Sequence, residues 1–166
     1  MTVYSPPVST YTALATTTLS GGETEVTFSS IPQTYADLVL VIDGTASTDT
    51  NILAKINGST ADMSTVYMYG SGTAASGNSG GASNVAVLAS VGPSHFVSVV
   101  NFLNYSATNK HKTFLTRANN LDFNGTGAVL AYCNRWGQNT PINSISGTIS
   151  GTLSAGTTLS LYGIED

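Results

Sequence analysis

Short apolar runs, many alternating with polar residues, are separated along this chain by Gly, Pro, Asn and Ser. In "ETEVTFSSI", Val26 and Phe28 alternate with Thr27 and Ser29. A period of two marks a half-buried strand. "ADLVLVID", residues 36–43, is apolar on both faces at its centre and reads as a central strand covered on both sides. "YTALATTTL", residues 11–19, precedes them and stops at Gly21 and Gly22, and weaker strand patterns follow at "NILAKIN" and "STVYMYG". "HFVSVVNFLNY", residues 95–105, fits two periods. Phe96, Val99, Val100 and Leu103 stand at helical spacing, but three valines, the aromatic residues and the Gly92-Pro93 break favour a strand.

In the second half, "KTFLTRA" (112–118) and "GAVLAYCNRW" (127–136) are expected to pair across "NNLDFNG". Alternation puts Leu130, Tyr132, Asn134 and Trp136 on one face, and Val129, Ala131, Cys133 and Arg135 on the other. "INSISGTI" puts Ile145, Gly147 and Ile149 on one face, and "TTLSLYGI" runs almost to the last residue. The pattern gives roughly eight to ten strands, no long helix and no repeat of solenoid length. Two packed sheets are the economical arrangement, so the expected fold is all-β: a jelly-roll-like β-sandwich of two antiparallel sheets. An apolar final strand then belongs to the core of a sheet.

Two segments fall outside this pattern. Residues 1–10 carry Pro6 and Pro7, which favour extended backbone, and read as a short extended N-terminal arm ahead of a single domain at 11–166. Residues 70–84, "GSGTAASGNSGGASN", read as a flexible low-complexity loop, either a disordered surface loop or a variable contact loop.

Composition changes the picture in one respect. The chain has 166 residues, enough for one domain with a full core, and 41% of them are apolar. Only 8% are charged, against roughly 25% in ordinary domains. Ser, Thr, Gly and Asn take their place. Charge is depleted where surfaces meet other subunits, and a neutral Ser/Thr-coated monomer fits the same numbers. The five basic residues are too few for a nucleic-acid partner. Lys110 and Lys112 flank His111 in what reads as a solvated turn. Cys133, the single cysteine, excludes an internal disulfide and reads as a buried small hydrophobe. The opening residues lack the pattern of a signal peptide, and no stretch has the length of a membrane span.

No catalytic residue, cofactor site or metal site is assigned. The nucleophile-elbow, zinc-helix and phosphate-loop motifs are absent. His95 and His111 have no ligand spacing. Asp43, Asp49 and Asp62 are weighed as calcium ligands on loops, but "DGTASTDTN" does not fit an EF-hand. Asp37, Asp43 and Asp122 stand out as paired-carboxylate candidates only because acids are scarce. Tyr67, Tyr69, Tyr132 and Trp136 are the candidates for stacking against carbohydrate, or for filling the core or a subunit interface.

"YTALATTTLSGGETEVTFSSIPQTYADLVLVIDG", "NFLNYSATNKHKTFLTRAN" and "AGTTLSLYGI" together resemble a recurrent type of tailed-phage virion structural protein, notably of phages of cyanobacteria and other aquatic bacteria. The resemblance covers most of residues 11–164. It implies a jelly-roll domain, often a homotrimer, and no enzymatic residues. With so short an arm it implies a capsid decoration (cement) protein on the outer surface of the capsid, bound to the major capsid protein. The alternative it leaves open is a tail-associated or fibre protein that binds host-surface carbohydrate. The interface residues expected under either reading are Tyr4, Pro6, Pro7 and Val8 in the arm, and Ser76 and Asn78 in the Gly/Ser segment.

Overall fold

In a computed structural model, described for residues 10–72, 74–79, 84–121 and 127–165, the chain forms twelve strands and no helix among those residues. The strands are β1 (Tyr11–Thr18), β2 (Glu23–Phe28), β3 (Asp37–Gly44), β4 (Thr50–Ile56), β5 (Met63–Ser71), β6 (Ala74–Ser79), β7 (Val87–Val91), β8 (Phe96–Leu103), β9 (Lys112–Leu121), β10 (Gly127–Trp136), β11 (Ile145–Leu153) and β12 (Thr158–Ile164). They build two antiparallel sheets, one in the order β1-β12-β3-β8-β9-β10-β5-β6 and one in the order β2-β11-β4-β7.

The chain pairs from its two ends inward. β1 pairs with β12, β2 with β11, β3 with β8 and β4 with β7, while β12 also bonds β3 and β11 also bonds β4. This is the rolled-up connectivity of a jelly roll, so the expected sandwich is the observed fold. Two hairpins are inserted into it. β9–β10 lies in the connection from β8 to β11, and β5–β6 lies in the connection from β4 to β7. Both add to one edge of the larger sheet, which therefore has twice the strands of the sheet facing it.

The core lies where the two sheets overlap. Leu38, Leu40 and Ile42 of β3 point into it, opposite Ile52 and Ile56 of β4 and Leu88 of β7. Phe102 and Phe114 stack there with centroids 4.8 Å apart. Tyr105 is fully buried and anchors the loop before β3: its hydroxyl bonds the Pro32 carbonyl and accepts the Tyr35 amide at 3.4 Å. The Tyr35 ring lies on Gly163 of β12, where an added Cβ would fall 2.4 Å from the ring. Only a residue without a side chain allows that approach.

Three sequence expectations change here. The second face of β3 is buried at Val39 but only half-buried at Val41 and Asp43, so this strand is covered on one side and lightly on the other. The Gly/Ser segment is not a loop over its described first half. β5 runs on to Ser71, the chain turns at Gly72 with φ +52°, and Ala74–Ser79 pair back as β6. A backbone ladder needs no side-chain signature, and the free edge of β5 supplies the template. Lys112 is no part of a solvated turn, since it is 1% exposed and its Nζ donates to the Lys110 carbonyl at 2.9 Å. Burial, then the charge of Lys110, lowers its pKa. Residues 1–9 of the N-terminal arm lie outside the described residues.

Candidate functional site

The smaller sheet ends at β7, and its free edge is sewn to the larger sheet by buried polar side chains. The Asn134 Oδ1 accepts the Val87 amide at 2.9 Å, while its Nδ2 donates to the Val87 carbonyl at 3.1 Å. Thr116 Oγ1 donates to the same carbonyl at 2.6 Å and Ser98 Oγ to the Leu88 carbonyl at 2.6 Å. The Asn120 Nδ2 lies 3.3 Å from both Ser90 Oγ and the Val91 carbonyl. An unpaired edge invites another strand, and these four side chains bond this one from within at the Val87 amide and the Val87, Leu88 and Val91 carbonyls. They sit on β8, β9 and β10, so the small sheet is registered over those strands.

β5 and β6 extend past that line. Every residue of β6 is exposed, while Tyr67 and Tyr69 of β5 are half-buried on the inward-pointing face. Tyr132 on β10 faces Tyr67 directly, with ring centroids 5.5 Å apart. Tyr67 and Tyr69 follow at 6.4 Å, inclined by 28°. In register across β5 and β6, Asn78 stands opposite Tyr67 and Ser76 opposite Tyr69. Directly opposed residues in an antiparallel pair share a face. Three of the four aromatic candidates and the two Gly/Ser-segment candidates therefore meet on one shelf. Trp136, the fourth, is 3% exposed in the core and is not part of it.

Tyr132 is the fixed end of the shelf. It is 6% exposed. Burial pushes its phenol up to about 12, with a hydrogen bond to Ser90 pulling the other way and Tyr67 adding to the rise. A phenol whose pKa is higher in the folded state favours folding while protonated. That stability is intact below the free tyrosine pKa of about 10 and is lost as pH rises from about 10 to about 12. Absorbance titration of the phenolates is expected to show a late-ionising tyrosine that disappears in Tyr132→Phe. A titration unchanged by that substitution would contradict the assignment.

The outer face of the same strands is unlike an ordinary solvent face. Val129 is 71% exposed, Met68 66%, Val66 53% and Leu115 40%. Their positions are contiguous. Val66, Cys133 and Leu115 form one row across β5, β10 and β9, Met68 and Ala131 oppose each other in the next, and Val129 opposes Gly70 in the one after. Cys133 is exposed, which corrects its reading as a buried hydrophobe. The alternation on β10 is as expected, but its inward face is the one carrying Asn134.

The remaining candidates do not assemble. Asp43 is paired with His95 at 3.0 Å on the surface. Asp62 accepts from Gln138 at 2.6 Å, and Asp37 accepts the Asn104 amide at 2.6 Å. Among the described residues no group of three or more His, Cys, Asp or Glu side chains is placed to hold a metal ion. A shallow groove between Thr108, His111 and residues 137–141 contains His111, whose Nδ1 lies 2.8 Å from Arg135 Nη2. Tyr4, Pro6, Pro7, Val8 and Asp122 lie outside the described residues.

Comparison with known proteins returns no matching family model, no matching curated protein and no matching solved structure.

Proposed function

We propose that this chain is a tailed-phage virion structural protein, a capsid decoration (cement) protein that binds the outer surface of the head and stabilises the shell. The observation that supports this best is the outer face of the large sheet. It exposes apolar side chains at Val66, Met68, Leu115 and Val129 in adjacent rows, with the exposed Arg117 and Arg135 at its border. Contiguous exposed apolar patches mark protein contact sites. The partner under this reading is the major capsid protein, with the chain acting as a homotrimer. A trimer bridging several shell subunits gains affinity through multivalency and stabilises the assembled state by mass action. No catalytic step is assigned. The jelly roll is compatible with this role, but it also serves lectins, and a fold alone does not decide function.

The test is co-sedimentation of the full chain with purified capsids lacking it. The paired substitution Met68→Asp and Val129→Asp places charge on exposed positions and leaves the core untouched. It is expected to weaken capsid binding by tenfold or more, about 1.4 kcal/mol. Unchanged binding by a folded double variant would contradict a seat on this face. The second reading, a tail-associated or fibre protein that binds host-surface carbohydrate, is favoured by the half-buried tyrosines of β5. It differs in where the chain sits on the virion.

A further inference from the structure

We infer that the shelf formed by Tyr132, Tyr67 and Tyr69, together with Asn78 and Ser76 of β6, is a binding site for a linear neutral saccharide. The inference depends on neither location on the virion. From the buried Tyr132 the platform turns a corner: Tyr67 lies opposite it across β5 at 5.5 Å, and Tyr69 lies two residues further along β5 at 6.4 Å. Aromatic faces offer a sugar ring a broad apolar platform, and the phenol hydroxyl at the rim remains available for hydrogen bonding. Polar partners stand beside the platform. The Asn78 side chain has both donors and an acceptor, and the Ser76 hydroxyl has one donor and two lone pairs. Sugar hydroxyls, which donate and accept at once, match that mixture.

Charge and shape narrow the class. None of the inward positions on β5, β6 and β10 carries an ionisable acid or base other than the tyrosines. A sulfated or uronic-acid polymer would find no counter-ion there, whereas a neutral one loses nothing. Among the described residues β6 is the edge strand of the sheet, and a shelf at an edge suits the interior of a chain as well as its end. Part of the ordering cost is met before binding. Tyr132 is buried and held by Ser90, and Tyr67 packs on it. Tyrosine adds little further rotamer cost, having two side-chain torsions.

The test uses the full chain with tyrosine rings labelled for NMR, titrated with linear hexasaccharides of glucose, mannose and galactose, and with a heparin hexasaccharide as the charged control. The expected result is a saturable shift of the Tyr67 and Tyr69 ring signals with at least one neutral sugar. Tyr69→Ala should weaken that binding about tenfold, and Tyr69→Phe should retain most of it. Asn78→Ala, on an exposed strand where folding is not at stake, should weaken it as well. The result is overturned by no shift at about 10 mM of any neutral sugar, well above a millimolar Kd. It is equally overturned by binding of heparin alone, or by affinity unchanged in both Tyr69→Ala and Asn78→Ala.

Discussion

A chain lacking residues 158–166 is expected not to fold. β12 is the second strand of the large sheet and bonds β1 on one side and β3 on the other along its whole length. It carries Leu159 and Leu161, each 2% exposed, into the core, and presents Gly163 to the Tyr35 ring. The two leucines alone represent roughly 1.5–3 kcal/mol each of apolar burial. The lost ladders also leave β3 with an unpaired edge and β1 without a partner. Domains have a margin of about 5–15 kcal/mol in total. Circular dichroism and soluble yield give the answer, with a chain shortened only by Glu165 and Asp166 as the control. That control loses the Glu165–Thr12 hydrogen bond at the exposed edge and is expected to fold. A folded protein without residues 158–166 would contradict the topology.

Asn134→Leu is expected to cost about 3–4 kcal/mol from lost hydrogen bonds and an orphaned amide, the largest effect foreseen for a single side chain. The side chain is completely buried. It satisfies both the amide and the carbonyl of Val87, and its Nδ2 also lies 3.3 Å from the Phe114 carbonyl and from Thr116 Oγ1. Leucine has similar volume but removes the partner of the Val87 amide. A buried unsatisfied group costs about 1–3 kcal/mol beyond the lost bonds. Asn134→Asp is expected to be no better, because a carboxylate cannot donate to the two carbonyls it would face. Urea unfolding at neutral pH measures the effect. A loss below about 1 kcal/mol in Asn134→Leu would show that the edge of β7 is satisfied by other means.

The strands with alternating patterns were legible in the sequence, and so was the place of the last one. "TTLSLYGI" reads as core because Leu159 and Leu161 alternate with polar residues, and β12 lies inside a sheet as that reading requires. Two strands were not legible, for opposite reasons. β6 contains only Ala, Ser, Gly and Asn, and forms because β5 offers an edge. In β7, Val87, Leu88 and Ala89 are all buried, so the period of two disappears.

The candidate site was legible in pieces. Tyr67, Tyr69 and Tyr132 stood out by type, and Ser76 and Asn78 by their segment, but the register that brings them together belongs to the hairpin. The inward face of β10 was the harder question. Hydrophobicity does not choose between its two faces, since Val129 and Cys133 are outward and Asn134 is inward. The choice is made by the edge of β7, forty-seven residues away in sequence from Asn134, which needs an amide at that point.

The proposed place on the capsid surface is tested most directly by immunogold labelling, with an antibody to this chain, of purified tailed-phage virions that contain it. The account predicts gold scattered over the head. Gold confined to the tail would contradict it.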